Sequence, residues 1–346
     1  MDPERYAELM RARDATPEPD VPDLPDPRPL PVVAESSEFA VELLERTADE
    51  PWTGGELLVL FEEAALADLR RHIAERRSSR ALSAEIGFRI DHYLLPEESG
   101  PAVEASSGRI LLSVRDTACD SLERLEGLIR RTRELYPEHR LHGVLPGQIH
   151  RIVGSEGTAP AVMMGRLRGA GLDGLRGLDA SVLAERVRSA LHPEGPSAHE
   201  WISIAEEAVM AGLSFGVTLT VAGREDFHDR VEHLLRVRET HAKHGRMDEF
   251  SLRFSPTDTP SRPGPEQLAD YLRTTAIARI ALGDEVAIAV ETMFLDREEA
   301  QECLLCGADR LLGGTARGES ALQDAAELAD WITSANLKAA ALGRTN

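Results

Sequence analysis

Three short stretches of this 346-residue chain bring together side chains that could do chemistry. The first is Ala222-Gly223-Arg224-Glu225-Asp226, which follows the β-rich run SFGVTLTV. Arg224 could bind a carboxylate or phosphate there, with Glu225 or Asp226 beside it as a base. Asp226 has a plainer reading too, as the acid that opens the next helix. The second joins two runs: Glu291 and Thr292 end the apolar run 286–292, and Arg253 is a charge within the run 250–254. An arginine that faces an interior needs an acid, and Glu291 is the first candidate. In the third, Gly313-Gly314-Thr315 follows the run 310–312, and backbone N–H groups there could hold an anion. A plain turn fits the same three residues.

Sulfur and imidazole offer less. Cys303-Leu-Leu-Cys306 is the one C-x-x-C, and on a helix its thiols share a face as small apolar side chains. Zinc would ask for two more ligands, and Cys119 is too far along the chain to count as one. His228, His233, His241 and His244 fall on one predicted helix among Arg230, Glu232, Arg236, Arg238 and Glu239. His241 and His244, one turn apart, could share a metal, but the charged neighbours read as a solvated face. No metal site is expected.

The elements that must position these residues alternate. β-rich runs fall at 85–93, 109–114, 141–145, 171–175, 215–221, 250–254, 286–292 and 310–312. Helical periodicity fills most intervals, at 121–135, 197–210, 227–244, 265–282 and 297–306. That alternation predicts an α/β fold of the TIM-type (β/α)8 kind, with a doubly wound sheet as the alternative. Thr53 and Glu56 form a capping box ahead of a helix through residue 77. One interval breaks the rule: LLPEESGPAVEASSG (94–108) is too short and too rich in Pro and Gly for a crossover helix. The barrel is therefore split at this edge, or its first two strands pair as a hairpin. Ahead of it all, residues 1–37 form an acidic tail with eight prolines by residue 31, expected to be disordered. Residues 38–84 make a helical segment and 85–346 the barrel.

Composition excludes several classes of function. With 60 Asp+Glu against 39 Lys+Arg the formal net charge is -21, which repels phosphate backbones and argues against a nucleic-acid binder. No run of about 18 apolar residues marks a membrane span, and no charged and apolar leader opens the chain. Three cysteines form no disulfide framework, so a cytoplasmic protein is expected.

Further motifs fall in a specific order: AGLDGLRG (170–177), ALHPEGPSAHEW (190–201), DRVEHLLRVRET (229–240), FSPTDT (254–259), LRTTAIARIAL (272–282) and AQECLLCGADRLLGGT (300–315). With EIGFRIDHY (85–93), they resemble aminofutalosine synthase, a radical-SAM enzyme of the futalosine route to menaquinone. Its relatives include dehypoxanthine futalosine cyclase, the F420 cofactor synthases and tyrosine lyase. The resemblance implies a radical-SAM barrel, a [4Fe-4S] cluster and S-adenosylmethionine. The family's C-x-x-x-C-x-x-C loop would fall on residues 94–108, where this chain has no cysteine, so its first β/α unit reads as truncated. Its GGGAE segment corresponds to Gly177-Leu178-Asp179-Ala180-Ser181, with Ser181 in place of the glutamate. Gln148 stands where an acid is implied. Ser255 and Asp258 replace the histidine and asparagine of HP-x-N-T, while Pro256 and Thr259 remain.

The framework without its reagents implies a pseudoenzyme, with no cofactor, acting as partner or regulator of a catalytic radical-SAM paralogue or another menaquinone-pathway protein. The family pocket would survive at Gln148, Gly177, Ser181, Gly313, Gly314 and Thr315 and could take a small anionic or nucleoside-like ligand. An alternative is a repurposed lyase or hydrolase using Arg224, Glu225, Asp258 and Glu291. A third reading is an active radical-SAM transferase or lyase with unrecognised cluster ligands.

Overall fold

The computed structural model describes residues 32–46, 50–78, 85–89, 109–112, 121–221, 224–254, 263–292, 294–315, 325–335 and 340–341. Its helices are α1 (Glu38–Glu45), α2 (Gly54–Glu63), α3 (Leu66–Ser78), α4 (Leu122–Leu135), α5 (Pro146–Glu156) and α6 (Pro160–Gly169), then α7 (Glu185–Leu191), α8 (Ala198–Met210), α9 (Phe227–His244), α10 (Pro265–Leu282), α11 (Arg297–Leu305) and α12 (Ala325–Ser334). Many start at reciprocal caps. Thr53 with Glu56, Ser197 with Glu200, Asp226 with Asp229 and Asp296 with Glu299 exchange hydrogen bonds across the first turn. Those bonds satisfy backbone donors that have no partner inside the helix. Asp226 thus caps α9.

The strands are β1 (Glu85–Arg89), β2 (Arg109–Leu111), β3 (Arg140–Gly143), β4 (Gly174–Leu175), β5 (Ser214–Val221), β6 (Met247–Phe254), β7 (Ile288–Glu291), β8 (Arg310–Thr315) and β9 (Ala340–Ala341). They form one sheet in the order β2-β3-β4-β5-β6-β7-β8-β1-β9. Six successive strands, β3 to β8, lie side by side and parallel, a half-barrel in which chain order is spatial order. The hairpin expected as one option at the first edge does not form. β1 runs parallel to β8 and β9, and β2 runs parallel to β3, so each extends the ladder beside it rather than turning back on the other. Among the described residues no ladder joins β1 to β2, and the closed eight-strand barrel goes beyond what the ladders establish. The acidic tail up to residue 31, the segment 90–108, Cys119 and residues 255–262 lie outside the described residues.

Two local expectations are corrected. The single helix over 53–77 is two helices, because Ala64 turns extended and the start of the described chain fills the break. There Ser36 Oγ accepts from Ala65 N at 2.8 Å and Ser37 N donates to Glu63 O at 3.1 Å. Periodicity singles out no helix between residues 146 and 191, yet α5, α6 and α7 form there. Proline in the first turn of α5 and α6 is their sequence signal.

Core placement follows strand alternation. On β5, Phe215, Val217, Leu219 and Val221 take one face, and Phe250, Leu252 and Phe254 take the same face of β6. This face meets the helices: Phe254 stacks on Tyr271 of α10 at 4.1 Å between ring centroids, and Phe250 meets His233 of α9 at 5.7 Å. His233 is therefore buried against the sheet, not on the solvated face expected for all four α9 histidines. Its Nδ1 accepts from Leu183 N at 2.9 Å. No described helix is long and apolar enough to cross a membrane.

Candidate functional site in the half-barrel lumen

The opposite strand face is polar, which departs from the rule that parallel sheets are apolar on both sides. By register it carries Ser214, Gly216, Thr218 and Thr220 on β5, Glu249, Ser251 and Arg253 on β6, Ala289 and Glu291 on β7, and Arg310 on β8. These residues line a lumen, and its two ends differ.

At the N-terminal end charges are tied across strands. Arg140 Nη2 lies 3.3 Å from Asp248 Oδ1, His142 Nε2 lies 3.2 Å from Asp248 Oδ2, and Ser214 Oγ donates to the same carboxylate. Arg310 Nη1 donates to Asp248 O at 3.2 Å and lies 3.4 Å from Glu249 Oε2. Gly174 makes this possible, since a Cβ there would lie 2.5 Å from Ser214 Oγ and 2.9 Å from His142 Cε1.

At the C-terminal end the main charged contact is Arg253 Nε to Glu291 Oε2 at 3.5 Å, both side chains buried. The acid expected for Arg253 is thus the one it meets. Above it, the loops after β3 and β4 hold two non-glycine residues at positive φ, Val144 (60°) and Ser181 (44°). For a β-branched residue such as Val144 that conformation costs on the order of 1–3 kcal/mol, and strain of this kind gathers at functional sites.

The loop 177–181 is pinned from behind. Asp179 accepts from Trp201 Nε1 at 3.0 Å and from Gly147 N at 2.5 Å, and burial pushes its carboxyl above the usual range. Arg188 donates to the carbonyls of Asp179 and Ala180, each at 2.9 Å. Gly177 presses onto β5 so closely that a Cβ would lie 2.0 Å from Gly216 O. Ser181 O accepts from Thr220 N at 2.8 Å, and its hydroxyl lies 3.4 Å from His192 Nε2. Buried Gln148 turns its Oε1 to Leu145 N at 2.9 Å, at the start of α5.

The remaining candidates sit elsewhere. Glu225 lies outside the lumen, 2.9 Å from Arg230 Nη2, and Arg230 Nη1 meets Asp270 at 2.6 Å and Thr274 at 2.7 Å. Burial pushes the Glu225 carboxyl up, while Asp270 and Glu225 together hold the Arg230 guanidinium above its ordinary value against the effect of burial. Arg224 is half-buried just ahead of this network. Gly313-Gly314-Thr315 is not a turn: Gly313 pairs with Phe88 and Thr315 with Arg89, so the extra glycine is taken up as a bulge in β8. Asp258 lies outside the described residues.

Cys303 and Cys306 are buried at the end of α11. Burial pushes the Cys303 thiol well up and that of Cys306 up to about 12. Among the described residues no three His, Cys, Asp or Glu side chains gather as a metal site.

The chain matches no family model. It is similar to 5-amino-6-(D-ribitylamino)uracil–L-tyrosine 4-hydroxyphenyl transferase 1 of Methanosarcina barkeri, with 30% identity over 54% of this chain and 51% of that protein. It is similar to the transferase 2 of Methanosarcina mazei, at 27% identity over 68% of this chain and 63% of that protein. The chain thus spans one half to two thirds of the curated relatives it matches. Among solved structures it resembles methylornithine synthase, with a TM-score of 0.64 over 88% of this chain and 98% of that one. Identity there is 11%, so the likeness is one of fold.

Proposed function

We propose that this chain is a radical-SAM-type barrel, closed to eight strands by β1 and β2, that works without the cluster. It keeps its lumen as a site for a small polar ligand and acts as partner or regulator of a cluster-bearing paralogue. The observation that carries the reading is the sulfur inventory. The chain has three cysteines, two of them buried at the end of α11 with thiols pushed up, and none between β1 and β2. A [4Fe-4S] cluster of this type takes three thiolates from one loop, and these residues do not fit that demand.

The names of its relatives favour a partner that moves the 4-hydroxyphenyl group of L-tyrosine onto a ribitylaminouracil. The futalosine route to menaquinone rests on the motifs alone. A second reading, a lyase or hydrolase using polar chemistry, keeps Glu291 at the lumen, whereas the Glu225 carboxylate is held by Arg230.

Anaerobic iron–sulfide reconstitution, followed by S-adenosylmethionine, tests the proposal. The expected result is no stoichiometric iron and no 5′-deoxyadenosine. About four irons per chain with cleavage would restore a radical enzyme.

A further inference from the structure

Ser181 is one of two non-glycine residues at positive φ among the described residues, and its ψ of -76° puts it outside the left-handed helical well as well. Such a backbone is strained for any residue with a Cβ and persists only where the surroundings enforce it. Here they do. Thr220 N donates to the Ser181 carbonyl at 2.8 Å, and Arg188 holds the carbonyls of the two residues before it. A strained serine in a strand-to-helix connection is the arrangement that lifts a nucleophile clear of its neighbours. Ser181 lies in such a connection, between β4 and α7, at the end of the sheet where barrels gather their sites.

The serine has an imidazole beside it. His192, at the end of α7, brings Nε2 to 3.4 Å from Ser181 Oγ, and both residues are half-buried, so a reagent from solvent can reach them. Contacts of this kind are often longer in a resting site than in a Michaelis complex. That hydroxyl makes no other hydrogen bond among the described residues. One buried guanidinium sets the spacing between the two loops. Arg188 donates to Pro196 O, beyond His192, at 2.6 Å, and to Asp179 O and Ala180 O, ahead of Ser181, at 2.9 Å each. His192 itself is fixed through its backbone, with its N donating to Arg188 O and its O accepting from Gly195 N. The Ser181 N–H donates to no acceptor among the described residues. A nucleophile's own amide is a usual donor to the oxyanion of acyl transfer.

We propose that Ser181 and His192 form a nucleophile and base that take an acyl group from an activated ester or a thioester. Ser181 Oγ bonds to the acyl carbon as its proton passes to His192 Nε2. The C–O or C–S bond to the leaving group then breaks, and that proton goes to the departing oxygen or sulfur. Water attacks the acyl-serine by the same route, which releases the carboxylic acid and restores the hydroxyl. No electrons are exchanged, and water is the only co-reactant. The activity goes beyond a ligand site in the lumen and does not depend on whether the chain binds a cluster.

The test uses the full-length protein, with p-nitrophenyl acetate as the ester and a fluorophosphonate as the serine-directed probe. Mass spectrometry locates the label. The expected result is stoichiometric labelling at Ser181 and a burst of p-nitrophenolate. S181A should lose both, and H192Q should slow labelling by at least about 100-fold. S181G should also lose the label while melting no lower than the parent protein, because glycine meets the positive φ without strain. That variant separates loss of chemistry from loss of fold. The proposal falls if Ser181 carries no label, if H192Q is labelled at the parent rate, or if the burst survives in S181A.

Discussion

The two ends of one lumen treat charge in opposite ways. At the N-terminal end, Asp248 draws Arg140, His142 and Ser214 together and Arg310 ties in from β8. At the C-terminal end Arg253 faces the lumen with a single loose ionic contact. Strand β6 supplies both, Asp248 near its start and Arg253 near its end, so on that strand the difference is one of position. At the N-terminal end shared charges hold the strands together, whereas the C-terminal pair is a looser contact at the end of the sheet where barrels gather their sites. The outer layer behaves like the N-terminal end, with Arg230 as its extreme case.

Substitutions can break this contrast, and the largest effect is expected in the outer layer. Arg230→Ala leaves Glu225 and Asp270 buried without their cation, so urea denaturation should show a loss of about 3–5 kcal/mol. Asp248→Ala, at the tied end of the lumen, should cost about 2–3 kcal/mol by the same assay. A comparable loss from Arg253→Gln would erase the distinction between the two ends. The expected change is smaller, about 1–2 kcal/mol, because one carboxylate across a 3.5 Å contact loses its cation rather than two at hydrogen-bond distance.

A pH series sharpens the same point on the buried face of the strands. Burial, with the charges of Arg188 and Arg236, pushes the His233 imidazole down to about 3. Its folded value is depressed, so its contribution is complete above the unfolded value near 6.5 and is lost as pH falls toward 3. Stability should drop by up to about 1.4 kcal/mol per pH unit across that window, and His233→Gln should flatten the slope. The smallest effect is a labelling one. Cys303 and Cys306 should stay silent toward a thiol reagent in the native protein and react once it unfolds.

Much of this was legible in the sequence, for identifiable reasons. The capping box of Thr53 with Glu56 marked a helix start, Asp226 was readable as the acid that opens α9, and SFGVTLTV was readable as a strand. The Arg253–Glu291 contact followed from the rule that a buried charge seeks its opposite. What failed had tertiary causes. Charged neighbours concealed His233, because its ring reaches the sheet at one angular position that i,i+4 charges leave open. Glu225 read as a candidate base because its neighbour Arg230 gave no sign of turning inward. The polar inner face is visible as period-two spacing in DEFSLRF, once the bulge between Gly216 and Phe215 is allowed for.

One contact ties the first third of the chain to its last. Arg77, at the end of α3, donates to the carbonyls of Leu304, Gly307 and Ala308 and to Asp309, which Arg279 of α10 also holds. A protein made from its N-terminus has exposed α3 for more than two hundred residues before these partners exist. At about 5–20 residues per second that is a wait of roughly 10–50 seconds during synthesis. The N-terminal helices that cover α10 therefore settle only after residues 304–309 have been made. The arrival of this distant segment, more than any local propensity, sets the moment at which α3 finds its place.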